Sequence, residues 1–466
     1  MPSNKFNKLT KNIALITVGN FASRVLGFLL IPFYTAVLST DEYGIADLIS
    51  TTVSLLFPLF TAVICEAMMR FALEKKYDLK SVWNIGLLVW GIGFLMLLAV
   101  SPAIQLVRPL APYAGYILLY YFTYSINFNA SYFVRGVEKV KLYTISGILQ
   151  TLLTIGLNLI FLLWLKIGLR GYLLSYIIAN FLTSLFLICG AGIYRYRPSV
   201  PDRALLKEML SFSIPLIPHQ IGWWINKSAD KYFILAICGT SINGLYSAAH
   251  KIPSVLYVLV SIFSSAWRIS SVEDYGTEEN VRFFNSVYDK YITVSIVGAS
   301  FLIAVNKIMA RVLYAKAFFI AYKYVPLLIL AVLFNGLGEY VGSVYITYKR
   351  TKPMMVTTMI SVAVNLCLNA VLIPWLGGMG AALATAIGFF VLWVIRTVDS
   401  KRIIALKMNT ANVAVCITLL VAQTLIWVLE LPGSVWMNAA IFCVILYMRR
   451  EMLTMVYERF CSRKRA

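Results

Sequence analysis

The chain has 466 residues, of which 60% are hydrophobic and only 13% are charged, and its mean hydropathy is +0.79. A soluble domain carries about a quarter charged residues, so this much apolar surface requires lipid to cover it. The net charge of +21 would suggest nucleic acid as the partner of a soluble chain. Because the basic residues stand in short tracts between long apolar runs, membrane topology accounts for them better, and no nucleic-acid partner is predicted.

The cysteines and the N-terminal run exclude two further readings. The seven cysteines are scattered, odd in number and without metal-ligand spacing, so they predict neither a disulfide framework nor a metal site. The first apolar run follows Lys5, Lys8 and Lys11, as in a signal peptide, but it is too long for one and contains Arg24. We interpret this run as an uncleaved first membrane span.

Fourteen apolar runs are long enough to cross a bilayer, which takes ~20 residues of helix. The connections between them are at most 18 residues long, so no soluble domain is predicted. In chain order the predicted spans cover residues 12–38, 45–70, 82–106, 112–134, 142–165, 171–194, 209–238, 243–267, 284–305, 324–347, 354–374, 379–396, 409–429 and 433–448.

Lysine and arginine give the orientation of these spans, because cytoplasmic segments hold them in excess. With the N-terminus inside, the cytoplasmic segments carry 30 basic residues, the external segments carry seven and the spans carry four. This distribution predicts that both termini are cytoplasmic. External residues 306–323 hold four of the seven, which indicates either a short surface helix or a misplaced ninth or tenth span.

Two pairs of segments repeat in the same order along the chain. Residues 39–45 (STDEYGI) align with residues 239–245 (GTSINGL), and residues 158–165 (NLIFLLWL) align with residues 369–376 (NAVLIPWL). After the second pair, Gly168 and Gly171 correspond to Gly377 and Gly380. The order indicates duplication of a six-helix unit, although a shared hairpin pattern that arose by convergence is the alternative.

Six is an even number of spans, so both copies have the same orientation and are related by an axis along the membrane normal. The expected fold is an all-α polytopic membrane protein, with two parallel six-helix lobes around a central cavity plus two C-terminal helices. The expected domains are an N-lobe at 1–200, a C-lobe at 201–400, and residues 401–466 with two more helices and a basic tail.

Charged residues inside the spans are candidates for function, since a charge at the bilayer centre costs at least ~2.5–3.5 kcal/mol. Arg24 lies in span one, Lys227, Asp230 and Lys231 share one face of span seven, and Lys251 lies in span eight. Four bases against one acid leave three excess positive charges, which favours an anionic substrate such as a pyrophosphate. The alternative is that Asp230 neutralises a lysine and only holds helices together.

The intramembrane carboxylates form a second candidate set. Glu66, Asp230 and Glu339 are candidates for coupling to Na⁺ or H⁺, or for structural roles. Glu66 and Arg70 lie four residues apart near the cytoplasmic end of span two, where they predict a structural ion pair or a cytoplasmic gate.

Four short stretches together point to a known family: residues 20–28 (NFASRVLGF), residues 35–47 with their EYGI turn, residues 230–232 (DKY) and residues 244–246. With them the chain resembles the bacterial polysaccharide-biosynthesis flippases, which move lipid-linked O-antigen, capsule or related oligosaccharides across the inner membrane. Their superfamily also contains the multidrug and toxic-compound extruders and the lipid II flippases. The resemblance covers nearly the whole chain, including the two extra C-terminal helices.

The resemblance implies an undecaprenyl-pyrophosphate-linked oligosaccharide as substrate, a cationic central cavity, coupling to a cation gradient and no bound cofactor. It implies that Arg24 is the family's first-helix arginine. It also implies that Asp230 and Lys231 occupy the positions of an Asp–Arg-like pair, in which the lysine of this chain replaces the arginine and loses its bidentate geometry. It also implies the bacterial inner membrane as location, with a polysaccharide polymerase and chain-length proteins as partners. Tyrosines such as Tyr120 and Tyr124 belong either to the interfacial belt or to sites that stack on sugar rings.

Two other function classes account for part of the sequence. A multidrug extruder would share the fold, but cationic drugs favour an acidic or apolar cavity. A polyprenyl-dependent glycosyltransferase, ligase or polymerase would use external acidic residues such as Asp41 and Glu42, which here lie in a six-residue hairpin with no large external loop. The sequence shows no nucleotide-binding loop and no catalytic triad, so a transporter is predicted rather than an enzyme.

Overall fold

A computed structural model describes residues 26–74, 76–196, 202–270, 278–348, 350–406 and 408–450. Within these residues the chain forms α-helices joined by turns and short 3₁₀ or π segments, and it contains no strand. The contacts divide the chain into two compact units, an N-terminal unit that ends at Tyr232 and a C-terminal unit that begins at Phe233. The helical content confirms the predicted all-α membrane fold.

The N-terminal unit contains eight helices and most of a ninth, which crosses the boundary between the units. They are α1 (Ile31–Val37), α2 (Thr40–Phe60), α3 (Ile64–Leu73), α4 (Leu79–Val100), α5 (Ala114–Gly136), α6 (Val140–Asn158), α7 (Gly168–Ala191), α8 (Arg203–Ser213) and α9 (Ile217–Cys238).

The C-terminal unit contains the remaining nine described helices. They are α10 (Thr240–Ala249), α11 (Pro253–Ser270), α12 (Glu278–Ala304), α13 (Asn306–Leu313), α14 (Val325–Thr347), α15 (Thr351–Leu376), α16 (Gly378–Ser400), α17 (Thr410–Val428) and α18 (Ser434–Met448).

Nine helices of the described residues are long and apolar enough to cross a membrane, or ten if the bent pair α10 and α11 is one span. Each predicted span from the second onward overlaps a helix or a pair of consecutive helices. Residues 12–25 of the predicted first span, which include Arg24, lie outside the described residues. The count of fourteen spans therefore stays a prediction.

Two long helices are too polar to count among these spans. Among described helices of 22 residues or more, only α5 and α9 are not apolar enough along their length to count as membrane spans. The α5 helix carries tyrosines, asparagines and serines, and α9 carries two lysines and an aspartate. In a bilayer such helices must turn their polar faces toward protein or water, so these two helices are the first candidates to carry a functional site.

The structure repeats the aligned segments at matched positions. The α2 helix begins at Thr40 and α10 begins at Thr240, as the alignment requires. Gly168 and Gly377 both adopt left-handed backbone, with φ of +55° and +57°.

The second pair of aligned glycines packs closely on aligned residues in both units. A Cβ on Gly171 would meet the Phe161 side chain at 2.9 Å and its carbonyl oxygen at 3.3 Å, and one on Gly380 would overlap the carbonyl of Leu372. Phe161 and Leu372 are themselves aligned residues, so the two glycines serve one packing role twice.

Breaks interrupt the second span of each predicted repeat, but at different depths. The α2 helix contains Pro58 and ends before Ala62 and Val63, which have φ of +49° and +53°. In the C-terminal unit the break follows α10, and α11 is bent by 50° from it. These breaks free backbone carbonyls inside the membrane region, where only protein contacts or water can satisfy them.

Residues 306–323, which the charge distribution predicts to be external, fold as the helix α13 followed by a 3₁₀ segment, Lys316–Lys323. The helices α12 and α14 on either side overlap the predicted ninth and tenth spans. The short-helix interpretation of this basic segment is therefore confirmed.

Candidate functional site

The candidate site begins with the packing of α9 on α2. Ser39 caps α2 and forms a capping box with Glu42, which fixes the first turn of that helix at the end of the hairpin. Asp47 lies two turns into α2. On α9, Lys227, Asp230 and Lys231 share one face at spacings of three and four residues.

The central contact of the site is an ion pair between these two helices. The Nζ atom of Lys231 lies 2.7 Å from Oδ2 of Asp47, and the two side chains are 15% and 23% exposed. Asp230 is more deeply buried, and its Oδ1 accepts the backbone N–H of Lys231 at 2.9 Å. Lys231 therefore takes its ion-pair partner from α2 rather than from its neighbour in sequence.

Polar and aromatic contacts hold the two helices in register around this pair. The hydroxyls of Thr52 and Tyr232 are 2.7 Å apart, and Trp224 Nε1 donates to the carbonyl of Thr51 at 3.0 Å. The rings of Trp224 and Tyr232 lie 5.5 Å apart. These contacts stand on both sides of Lys231 and fix where its ammonium group points.

Lys227 lies one turn earlier on α9 and contacts a different group. Its Nζ atom is 5.2 Å from the ring centroid of Trp223, a cation–π geometry at an exposed residue.

Asp47 was missed by the sequence reasoning, although it lies inside the predicted second span and ends one of the family-like stretches. Counting it, four intramembrane bases oppose two aspartates, so the excess falls from three positive charges to two. The positive excess is therefore smaller than the sequence count gave, and the cationic site for an anionic substrate stays a prediction. Of the lysines that the sequence singled out, Lys231 is already neutralised by Asp47, a carboxylate with part of its surface exposed.

Lys251 belongs to the C-terminal unit, in the break between α10 and α11. Its backbone N–H donates to the carbonyl of Ala248, and its carbonyl accepts the hydroxyl of Ser254 at 2.5 Å. The side chain is half-buried at the bend of this helix pair.

The predicted Glu66–Arg70 pair is not formed within the described residues. Arg70 is instead 3.5 Å from Glu74 and lies 4.9 Å above the ring of Phe212. Glu74 lies beyond the end of the α3 helix, where water is accessible, so the exposed Arg70 turns toward it. Glu66 remains half-buried on α3.

Glu339 contacts Arg396, the last residue of the predicted twelfth span. Arg396 is only 1% exposed, and its Nη1 lies 3.2 Å from Glu339 and 3.0 Å from the carbonyl of Gly338. Thr357 and Thr358 accept further N–H groups of the same guanidinium at 3.3 and 3.0 Å. A buried guanidinium in this position disfavours Glu339 as a cation-binding group and favours a structural role.

Comparison with known proteins agrees with this architecture. Residues 9–268 match the family model for polysaccharide biosynthesis protein. An uncharacterized membrane protein of Methanocaldococcus jannaschii is 23% identical over 423 residues, which cover 81% of this chain and 94% of that protein.

Two solved structures show the same fold. The lipid II flippase MurJ in an inward closed conformation superposes with a TM-score of 0.67 at 15% identity, covering 94% of this chain and all of that one. An inward-facing multidrug resistance transporter of the MATE family gives a TM-score of 0.64 at 17% identity, over 82% of this chain and 98% of that one. Together with the family match over more than half of the chain, these likenesses identify a multi-pass membrane protein with the fold of the MurJ and MATE transporters that belongs to the polysaccharide biosynthesis protein family.

Proposed function

We propose that this protein is a flippase that moves an undecaprenyl-pyrophosphate-linked oligosaccharide across the bacterial inner membrane by alternating access, with both termini in the cytoplasm. The observation that carries the proposal is the polar helix α9, whose Lys231 is held against the partly exposed Asp47 in a member of a polysaccharide biosynthesis family. A lysine on a membrane helix is costly unless it has a function or an ion-pair partner. Lys231 has such a partner in Asp47, and an anionic substrate can replace that carboxylate.

The chemistry follows from a competition between two anions for one ammonium group. A pyrophosphate carries more negative charge and more acceptor oxygens than a carboxylate, so it can displace Asp47 from Lys231. Until then Asp47 keeps Lys231 from being buried as an unpaired charge, which would be strongly unfavourable. Because lysine presents a point charge on a flexible stem, it can follow a moving headgroup more readily than arginine can.

The other basic candidates complete the proposal. Arg24, Lys227 and Lys251 would contact the headgroup or the glycan at other stages of transport. The proposed lobes are an N-lobe at 1–200 and a C-lobe at 201–400, followed by residues 401–466. Glu66 and Asp230 remain the carboxylates for coupling to Na⁺ or H⁺. A polymerase and chain-length proteins would then use the delivered oligosaccharide.

A multidrug extruder is the second candidate function, and one observation favours it. In the described contact between α2 and α9, Lys231 is balanced by a carboxylate, so this region is less cationic than the sequence alone suggested. A cation-coupled extruder would use such a carboxylate to bind a cationic drug.

A strain that lacks the gene separates the two functions. We would measure its surface polysaccharide, its pool of lipid-linked oligosaccharide and its drug tolerance together. A flippase predicts loss of surface polysaccharide, with complete repeat units accumulating on the cytoplasmic leaflet and unchanged drug tolerance. Normal polysaccharide with altered drug tolerance would support the extruder, and units accumulating on the outer leaflet would point to a polymerase or ligase.

A further inference from the structure

The polar helix α5 carries a row of aromatic side chains along one face. Tyr120, Tyr124, Phe128 and Tyr132 follow at intervals of four residues, and neighbouring rings are 6.1, 5.7 and 4.9 Å apart. At ~1.5 Å per residue, the four positions cover about 18 Å of helix length, more than half of a bilayer core.

Further rings extend this row at one end, and a base closes it at the other. Tyr176 lies 6.1 Å from Tyr120, Tyr172 lies 4.9 Å from Tyr176, and Tyr34 of α1 lies 5.3 Å from Tyr172. At the opposite end, the guanidinium of Arg135 is 5.2 Å from the ring of Tyr132. We call the seven rings the aromatic row; in spatial order they are Tyr34, Tyr172, Tyr176, Tyr120, Tyr124, Phe128 and Tyr132.

Core packing alone does not account for the row. On the same helix, the Tyr121 and Phe133 side chains are fully buried, as packing residues are. Tyr124, Phe128 and Tyr132 are only half-buried, so packing leaves part of each of these side chains uncovered, whereas Tyr120 and Tyr34 of the row are buried. The helix that carries them is also one of the two long described helices that are too polar for a lipid-facing span.

The row is linked to the Asp47–Lys231 ion pair through α2. Phe57 of that helix packs at 5.7 Å from Tyr124 and 4.7 Å from Phe128, and Asp47 lies ten residues earlier on the same helix. A molecule whose anionic end is held near Lys231 therefore has a half-open aromatic surface on a neighbouring helix of the same unit.

We propose that the aromatic row is a binding track for the sugar units of the transported oligosaccharide, an inference that rests on the proposed flippase function. The C–H face of a pyranose packs on an aromatic ring, and tyrosine adds a hydroxyl that can bond to sugar hydroxyls. Like the stacking of successive bases on aromatic side chains, such contacts tolerate different sequences of units. A row of similar contacts lets a glycan shift from ring to ring without one deep binding step.

The test compares two probes on purified full-length protein in nanodiscs: undecaprenyl pyrophosphate alone and the same lipid carrying a trisaccharide. We expect the double variant Tyr124→Ala/Phe128→Ala to bind the trisaccharide probe about tenfold more weakly, with unchanged affinity for the bare lipid. Tyr124→Phe keeps the ring and should retain most of the affinity. Phe122→Ala is the matched control, because Phe122 lies on the same helix but packs against Trp90 and Phe94.

The outcomes separate this inference from the function on which it rests. If the double variant weakens both probes equally, or weakens neither, the row is packing and the inference is wrong while the flippase proposal stands. If the wild-type protein binds neither probe, the flippase proposal itself fails and the inference fails with it.

Discussion

At the scale of single residues, the proposed function depends on the pairing of Asp47 with Lys231. The capping box at Ser39 and Glu42 fixes where α2 begins, and with it the depth at which Asp47 faces α9. Periodicity placed Lys231 on one face of span seven, but it carried no information about which other helix that face meets. The sequence therefore predicted Lys231 as a site residue but could not predict Asp47 as its ion-pair partner.

Neutralising Lys231 tests its role most directly at this scale. We expect Lys231→Gln to abolish transport and also to lower stability by about 1–3 kcal/mol, since Asp47 would lose its ion pair with Lys231. Adding Asp47→Asn should restore the thermal midpoint but not transport. Full transport by the single variant, at normal expression, would contradict the proposed role.

A separate ion pair in the C-terminal unit, at the end of α17, predicts acid sensitivity. Glu430 accepts a hydrogen bond from the Tyr322 hydroxyl at 2.6 Å and lies 3.1 Å from Nζ of Lys323, and these contacts hold the pKa of Glu430 below its usual range. A lowered carboxyl pKa contributes stability at pH values above the ordinary glutamate value, and this contribution is lost as the pH falls through the lowered one.

We therefore expect the thermal midpoint to fall on acidification below about pH 4, in part because of Glu430. Glu430→Gln should lack that part of the decrease, and Tyr322→Phe should shift it to higher pH by removing a donor. Identical pH profiles for all three proteins between pH 3 and pH 7 would show that this contact does not contribute.

At the scale of helices, repetition in the sequence was the most informative signal. The aligned glycines predicted two equivalent turns; in the structure Gly168 and Gly377 both have positive φ, and Gly171 and Gly380 each pack closely on an aligned residue. Apolar runs likewise placed helices at the predicted spans from the second onward. The sequence could not predict that Arg396 enters the protein interior to meet Glu339, because that depends on how α14 and α16 pack.

Alanine substitutions at the aligned glycines test this repeated packing. Gly171→Ala and Gly380→Ala should each lower stability by about 1–3 kcal/mol, because the added Cβ would overlap the preceding helical segment. Gly156→Ala is the control, since nothing lies within 4 Å of its Cβ position. It should be neutral or slightly stabilising in a thermal melt. A loss at only one of the two aligned glycines would argue against an equivalent role.

At the scale of the whole molecule, composition and charge alone predicted a polytopic membrane protein, and the family match and the MurJ and MATE folds agree with that. The orientation in the bilayer follows only from the distribution of lysine and arginine. It is a prediction that the fold of the chain does not test.

Cysteine accessibility tests that orientation. In a variant whose sole cysteine is Cys461 in the C-terminal tail, an impermeant maleimide should label the protein only after the cells are permeabilised. A variant whose sole cysteine replaces Lys316 should be labelled in intact cells. The reverse pattern would invert the predicted topology.

A translocation assay in proteoliposomes measures the proposed flippase activity itself. Purified protein would be reconstituted with undecaprenyl pyrophosphate carrying a short oligosaccharide, and the sugar exposed on each leaflet would be measured over time. We predict that the wild-type protein equilibrates the lipid between leaflets and that Lys231→Gln does not. If the wild-type protein leaves the distribution unchanged while it exports a cationic dye from the same vesicles, the flippase account is wrong.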